Sequence, residues 1–174
     1  MQSCFVELCL RVMQQLTDII IRIMADGLVV PIVLVAAWAM LRLPRKERFD
    51  RIARGIVAGL IALLSAKLMS LIYQDGERPF MILGVDPKAA YLNNPGFPSD
   101  HVLFVFAITF VVWASTKSKP LTLALLIMSV MVAAGRVLAL VHTPLDVLGG
   151  FAAALLAVTL VYGRSFYRTD QLPR

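Results

Sequence analysis

The chain has 174 residues, of which 59% are hydrophobic and only 16% are charged, and its mean hydropathy is +0.79. This composition argues against a water-soluble fold, because ordinary soluble domains are less apolar. The formal net charge of +6 does not indicate nucleic-acid binding, since the basic residues cluster beside apolar blocks, where they favour the cytoplasmic side of a membrane. Cys4 and Cys9, the two cysteines, have a spacing that matches no metal or redox motif.

The first 24 residues form an amphipathic segment. Polar side chains recur every three or four residues among apolar ones, at Glu7, Arg11, Gln14, Gln15, Asp18 and Arg22. This pattern predicts an amphipathic helix over residues 1–24 that lies in the membrane interface. A sixth spanning helix with its polar stripe facing the bundle is the competing interpretation, which the charged side chains disfavour.

Five apolar blocks approach the roughly 20 residues that a helix needs to cross the hydrocarbon core of a bilayer. They predict spanning helices over residues 27–43, 55–73, 99–115, 120–141 and 145–163. The predicted fold class is therefore all-α, a polytopic membrane helix bundle. Residues 1–174 form a single domain, with a transmembrane core over residues 27–163 and a cytoplasmic tail over residues 164–174.

Basic residues predict the orientation of this bundle. Residues 42–54 (RLPRKERFDRIAR) are strongly basic, which predicts a cytoplasmic loop. By alternation, the turn with Lys117 and Lys119 and the tail over residues 164–174 fall on the same side, so three basic clusters agree. The longest loop, residues 74–98, is rich in proline and glycine and falls on the outer side, as does the turn after the fourth span.

Three short stretches place polar residues at helix ends on this outer face: residues 76–80 (GERPF), 97–101 (FPSDH) and 135–146 (GRVLALVHTPLD). The second stretch puts Ser99 and Asp100 at the start of a membrane helix. Free backbone N–H groups and the helix dipole favour an anion at such a position. The outer face is thus a candidate anion-binding site.

Both histidines of the chain belong to these stretches. His101 lies in the first turn of its helix, while Arg136, His142 and Asp146 follow one another around the turn between the last two spans. A histidine oriented by a carboxylate is a potential nucleophile or base, and a second histidine can protonate a leaving oxygen. Arginines, among them Arg78, can bind phosphate oxygens.

Each of these residues also has a purely structural interpretation. Ser99 and Asp100 are good N-cap residues, and Asp146 is another potential helix cap. Arg78 and Arg136 can extend toward the lipid headgroups. The functional interpretation is preferred, because ionisable groups are costly at membrane depth and two histidines, two arginines and two acids collect on one face.

The three stretches together resemble the motifs of the type 2 phosphatidic acid phosphatase (PAP2) superfamily. The first family motif ends in Arg-Pro, as at Arg78-Pro79, and the second reads Pro-Ser-Gly-His, approached by Pro-Ser-Asp-His at residues 98–101. The third reads Ser-Arg, five residues, His, three residues, Asp, a spacing that fits Arg136, His142 and Asp146. The order and spacing of three motifs make the resemblance specific.

The chain departs from the family pattern at three positions. The lysine of the first motif corresponds to Leu71, while Lys67, one helical turn further back, remains an alternative phosphate-binding candidate. Gly135 replaces the serine before Arg136, and Asp100 replaces the glycine of the second motif. The resulting Pro-Ser-Asp-His form resembles the bacterial undecaprenyl pyrophosphate phosphatases of the bacitracin-resistance branch.

The resemblance implies a phosphatase that requires no metal and no cofactor. His142 would attack phosphorus to give a phosphohistidine, Asp146 would orient its ring, and His101 would protonate the departing oxygen. Phosphoryl oxygens would be bound by Arg78, Arg136, Ser99 and the backbone at Asp100. The implied protein is a multi-pass enzyme of the bacterial cytoplasmic membrane, with its site facing the periplasm.

The implied substrate is undecaprenyl pyrophosphate, and the implied partners are lipids rather than nucleic acid. Three alternatives stay open on the sequence. The chain is a phosphatase of phosphatidate, phosphatidylglycerophosphate or lipid A, or a phosphotransferase that passes the phosphoryl group to another lipid. From a different class, it is a membrane protein that only binds phospholipid headgroups.

Overall fold

The computed structural model describes residues 2–73, 76–92 and 96–167, with side chains described between residues 6 and 163. Every regular element in these ranges is helical, which confirms the predicted all-α membrane bundle. The helices are α1 (Gln2–Arg22), α2 (Val29–Leu41), α3 (Arg45–Ile72), α4 (Pro79–Leu83), α5 (Asp100–Thr116), α6 (Lys119–Leu138) and α7 (Pro144–Tyr167).

The first two helices are joined without a loop, through a π-helical turn at Ile23–Gly27. The apolar helix Val6–Leu41 therefore counts 36 residues. At 1.5 Å per residue such a helix is about 54 Å long, well beyond the roughly 30 Å of the hydrocarbon core. The continuous helix is longer than one crossing needs, and no turn reverses the chain between α1 and α2, as a separate sixth span would require. Its position in the membrane interface stays a prediction.

The basic stretch after α2 is mostly helical. Only Arg42–Pro44 connects α2 to α3, so residues 45–54 of the predicted cytoplasmic loop are helical, and their side of the membrane stays a prediction. Ion pairs between side chains four residues apart stabilise the first turns of α3. They join Arg51 to Glu47 at 3.6 Å and Arg54 to Asp50 at 2.9 Å.

The C-terminal boundary also differs from the prediction. α7 continues to Tyr167, so residues 164–167 of the tail predicted over residues 164–174 are helical, and their side of the membrane stays a prediction. Residues 168–174 of the predicted tail lie outside the described residues. The helix continues because residues 164–167 contain neither proline nor glycine, the residues that most often end a helix.

α5 lies at the centre of the bundle, in contact with α2, α3, α6 and α7. It has 17 residues, ten of them buried, while four other helical segments are long and apolar enough to cross a membrane. The Thr109 hydroxyl donates to the carbonyl of Val105 at 2.9 Å and lies 2.9 Å from the Ser129 hydroxyl, which can donate to it. Such pairing satisfies buried hydroxyl groups where water is excluded.

Small residues allow close approach between the helices. Ala58, Ala62 and Ala66 recur every fourth residue along α3 and are buried. On α7, a Cβ atom at Gly150 would lie 2.6 Å from the Ser99 carbonyl oxygen and 3.0 Å from the Leu103 backbone nitrogen. The backbone of α7 at Gly150 therefore packs directly against the backbone at the start of α5.

Replacing Gly150 by alanine tests this contact. Gly150→Ala forces α5 and α7 apart, and we expect it to lower the free energy of unfolding by about 1–3 kcal/mol, the usual cost of overpacking. The measurement is thermal unfolding in detergent. Gly59→Ala is the matched control, since a Cβ atom there has no neighbour within 4 Å; an equal melting temperature for both variants would contradict the account.

Candidate active site

Three segments of the chain meet at one end of the bundle. The outer loop is joined to the α6–α7 turn, because Phe80 N donates to Leu140 O at 3.0 Å and Lys88 N donates to Ala139 O at 3.3 Å. The start of α5 is joined to α7, since Ser99 N donates to Asp146 O at 2.9 Å. The structure therefore brings the three motifs of the sequence together.

The α6–α7 turn fixes the carboxylate of Asp146 through a capping box. Asp146 N donates to Thr143 Oγ1 at 3.2 Å, and Thr143 N donates to Asp146 Oδ2 at 2.8 Å. Pro144 follows as the first residue of α7, a favoured position for proline. The interpretation of Asp146 as a helix cap is thus correct, and the cap is what orients its carboxylate.

The same carboxylate contacts the candidate nucleophile. His142 Nδ1 lies 3.3 Å from Asp146 Oδ2, and both side chains are buried, with 6% and 2% of their surface exposed. A hydrogen bond donated by Nδ1 leaves Nε2 as the lone-pair nitrogen. Nε2 has no hydrogen-bond partner among the described residues. Asp146 therefore selects the tautomer in which the outer nitrogen can attack.

The electrostatic environment favours the neutral form of His142. Burial lowers the pKa of His142, and the positive charges of Arg136 and Arg78 lower it further, while the hydrogen bond with Asp146 acts in the opposite direction. A lowered pKa keeps the imidazole unprotonated, and hence nucleophilic, to lower pH than a free histidine.

Ser99 stands at the N-cap of α5 but does not cap it. Its side chain makes no capping hydrogen bond, and its hydroxyl oxygen is buried without a hydrogen-bond partner among the described residues. A buried hydroxyl without a partner is costly, which favours a role toward a ligand. Asp100 is exposed as the first residue of α5, and His101 in the same turn is partly buried.

Both arginines of the motifs are buried, with only 7% of Arg78 and 1% of Arg136 exposed. The interpretation of either as a headgroup anchor is therefore wrong. The Arg78 guanidinium donates to Val141 O at 2.6 Å and to Leu92 O at 3.0 Å, which ties the outer loop to the α6–α7 turn. Burial lowers its pKa, and the Asp146 carboxylate opposes that effect.

Arg136 has a partner that the sequence analysis missed. Its Nη1 donates to Asp26 Oδ1 at 2.7 Å, while its Nε is buried without a hydrogen-bond partner among the described residues. Asp26 lies in the π-helical turn after α1. Its only sequence signal is an isolated acid at the start of an apolar span, where ionisable residues tend to be functional.

Lys67 does not join this group. It is exposed on α3, and within the described part of the chain its side chain has no hydrogen bond or ion pair. Leu71, at the position of the family lysine, is also exposed. The candidate phosphate-binding side chains that the structure gathers are thus Arg78, Arg136 and Ser99.

The titration of His142 tests the electrostatic account. Because burial outweighs the Asp146 carboxylate, we expect the ring to take up its proton below pH 6.5, the ordinary value for histidine. Asp146→Asn removes the interaction that raises the pKa, so the midpoint should fall further. The measurement is ¹⁵N NMR of histidine-labelled protein, with His101→Gln to assign the two rings. A midpoint above 6.5, or one raised by Asp146→Asn, would contradict the account.

Comparison with known proteins supports the family resemblance that the three motifs indicate. The family model of the PAP2 superfamily matches residues 53–170, which include all three motifs. A curated relative from Escherichia coli (strain K12), named "Putative undecaprenyl-diphosphatase YbjG", is 31% identical over 130 residues, which are 74% of this chain and 62% of the relative. The chain thus spans about three fifths of the length of that relative. No solved structure matches the chain. Because the family match covers well over half of the sequence, the chain belongs to the PAP2 superfamily.

Proposed function

We propose that this protein is a membrane phosphatase that removes the terminal phosphate of undecaprenyl pyrophosphate through a phosphohistidine intermediate. The observation that carries the proposal is the buried pair of His142 and Asp146, in which His142 Nδ1 lies 3.3 Å from Asp146 Oδ2. The capping box with Thr143 fixes the position of that carboxylate. Mere headgroup binding requires no oriented histidine. The relative named as an undecaprenyl-diphosphatase supports the choice of substrate.

The proposed reaction has two steps. His142 Nε2 attacks the terminal phosphorus, the bond from phosphorus to the bridging oxygen breaks, and His101 gives its proton to the departing lipid phosphate. Water then attacks the phosphohistidine, His101 takes the proton of that water, and the P–N bond breaks to release inorganic phosphate. Both histidines return to their starting protonation states, so the cycle is complete.

The charged groups stabilise the transition state of each step. Negative charge spreads over the equatorial oxygens of the transferred phosphoryl group, and catalysis of such reactions depends mainly on positioning and electrostatic stabilisation. Arg136 Nε and the Ser99 hydroxyl are buried donors without partners among the described residues. In the proposal they bind these oxygens together with the Arg78 guanidinium.

A groove beside the site fits a hydrocarbon tail. It has a volume of about 740 Å³ and is lined by apolar residues of α2, α3 and α5, while Asp100 and His101 line its end at the site. Gly59, on the α3 wall, leaves the groove open, because a Cβ atom there has no neighbour within 4 Å. A lipid whose phosphate lies beside His101 would then place its chain along these helices. The basic clusters at the opposite end favour an outward-facing site.

Removing the nucleophile tests the proposed activity. We expect the wild-type chain to release phosphate from undecaprenyl pyrophosphate in detergent with EDTA present, and His142→Ala to lose at least about a thousandfold of that rate, as when other enzymes lose a covalent nucleophile. Phosphatidate as a competing substrate decides between the lipid classes. If folded wild-type protein released no phosphate from either lipid, the headgroup-binding or phosphotransferase alternatives would replace the proposal.

Filling the groove tests the lipid specificity. Gly59→Phe places a ring in the groove, so we expect it to raise the KM for the long-chain lipid several-fold without changing turnover of p-nitrophenyl phosphate, which has no tail. Gly163→Phe is the control, because that position is equally open but lies outside the groove lining. Equal effects of Gly59→Phe on both substrates would rule out a groove for the tail.

A further inference from the structure

An acidic side chain from the N-terminal part of the chain enters the site. Asp26 Oδ1 accepts the hydrogen bond from Arg136 Nη1 at 2.7 Å, and the same oxygen lies 3.7 Å from His101 Nε2. The other oxygen, Oδ2, accepts the backbone N–H of Ala90 at 2.9 Å. One carboxylate therefore contacts a predicted phosphate-binding residue and the outer loop, and faces the predicted general acid.

The packing that brings Asp26 to the site requires glycine at residue 135. A Cβ atom on Gly135 would lie 2.6 Å from the backbone nitrogen of Ala25, closer than real Cβ contacts come. Ala25 itself is fully buried. Gly135 stands where the PAP2 motif has serine, so this departure and the position of Asp26 belong to one arrangement, in which the π-helical turn lies directly against α6.

Asp26 also balances the charges around His101. The charged and titratable groups near that ring are Arg136, His142, Asp26 and Asp100. The Arg136 guanidinium opposes a second positive charge on His101, because like charges repel. The Asp26 carboxylate faces the Arg136 guanidinium and the His101 ring with the same oxygen, which offsets that repulsion.

We propose that Asp26 is a positioning residue that keeps His101 in its proton-donating form. The role rests on the proposed function, since it concerns the proton given to the leaving oxygen. Asp26 occupies Nη1 of Arg136, so the Nε edge of the guanidinium remains for a phosphoryl oxygen. The π-helical turn that follows α1 thereby becomes part of the proposed active site.

Leaving-group dependence separates this role from a structural one. Asp26→Asn keeps the shape of the side chain and removes its charge. We expect hydrolysis of p-nitrobenzyl phosphate, whose leaving alkoxide needs a proton, to fall about tenfold or more, since general acids typically contribute about 10²–10⁴-fold. Hydrolysis of p-nitrophenyl phosphate, whose leaving phenolate is stable without a proton, should fall less than about threefold.

Asp18→Asn provides the matched control. The Asp18 carboxylate pairs with Lys88 Nζ at 2.7 Å, so it also ties the N-terminal helix to the outer loop, but its ion pair does not involve the site residues. We expect this variant to hydrolyse both esters at the wild-type rate. If Asp18→Asn lost as much activity on p-nitrobenzyl phosphate as Asp26→Asn, Asp26 would only attach the N-terminal part of the chain to the bundle, and the proposed role would be wrong.

A double-mutant cycle on the lipid substrate completes the test. If Asp26 acts through His101, Asp26→Asn should slow phosphate release from undecaprenyl pyrophosphate in the wild-type background and have little further effect in His101→Gln. Additive losses, or equal losses on the two esters, would overturn the role of Asp26 while leaving the proposed function intact. No turnover by the wild type would overturn the proposed function itself.

Discussion

The candidate site depends on the close contact between the start of α5 and the first turns of α7. The hydrogen bond from Ser99 N to Asp146 O joins the two segments, and Gly150 leaves room for the Ser99 carbonyl group. Because this contact is made by backbone atoms, flexible side chains do not set the distance between the second and third motifs. Preorganisation of this kind is what phosphoryl transfer most needs from a protein.

Charge balance is the second constraint on this end of the bundle. Arg136 is almost fully buried and ion-paired with Asp26, while His142 is buried beside Asp146. A buried ion that loses its partner destabilises a protein strongly, so the buried Arg136 guanidinium depends on the Asp26 carboxylate beside it. Asp146 serves two purposes, since its capping box with Thr143 also orients the nucleophilic ring. Structural and catalytic interpretations of such a residue are therefore compatible.

Most of the fold could be predicted from the sequence, because apolar blocks of membrane-spanning length and three spaced motifs are local signals. The motifs also predicted which residues meet around His142. Two local signals were misleading. The charges after Pro44 indicate a loop, although ion pairs at helical spacing stabilise the start of α3 there. Proximity in sequence to the position of the family lysine indicates Lys67, but its side chain is exposed on α3.

Asp26 could not be predicted because its contacts are distant in the chain. Its carboxylate meets Arg136, which lies 110 residues away, and Ala90, which lies 64 residues away. The π-helical turn that carries Asp26 can lie against α6 only because Gly135 has no side chain. In the sequence, Gly135 is visible only as a departure from the serine of the third motif. In a single sequence, one acid and one glycine 109 residues apart carry no sign that they act together.

The most direct test of the central claim is to trap the covalent intermediate. Acid-labile phosphate should be found on His142 when the enzyme is mixed with undecaprenyl pyrophosphate, quenched within milliseconds in alkali and mapped by mass spectrometry. We expect phosphohistidine at His142 in the wild type and in His101→Gln, and none in His142→Ala. Turnover without phosphohistidine at His142, or with the phosphoryl group on His101 instead, would contradict the account.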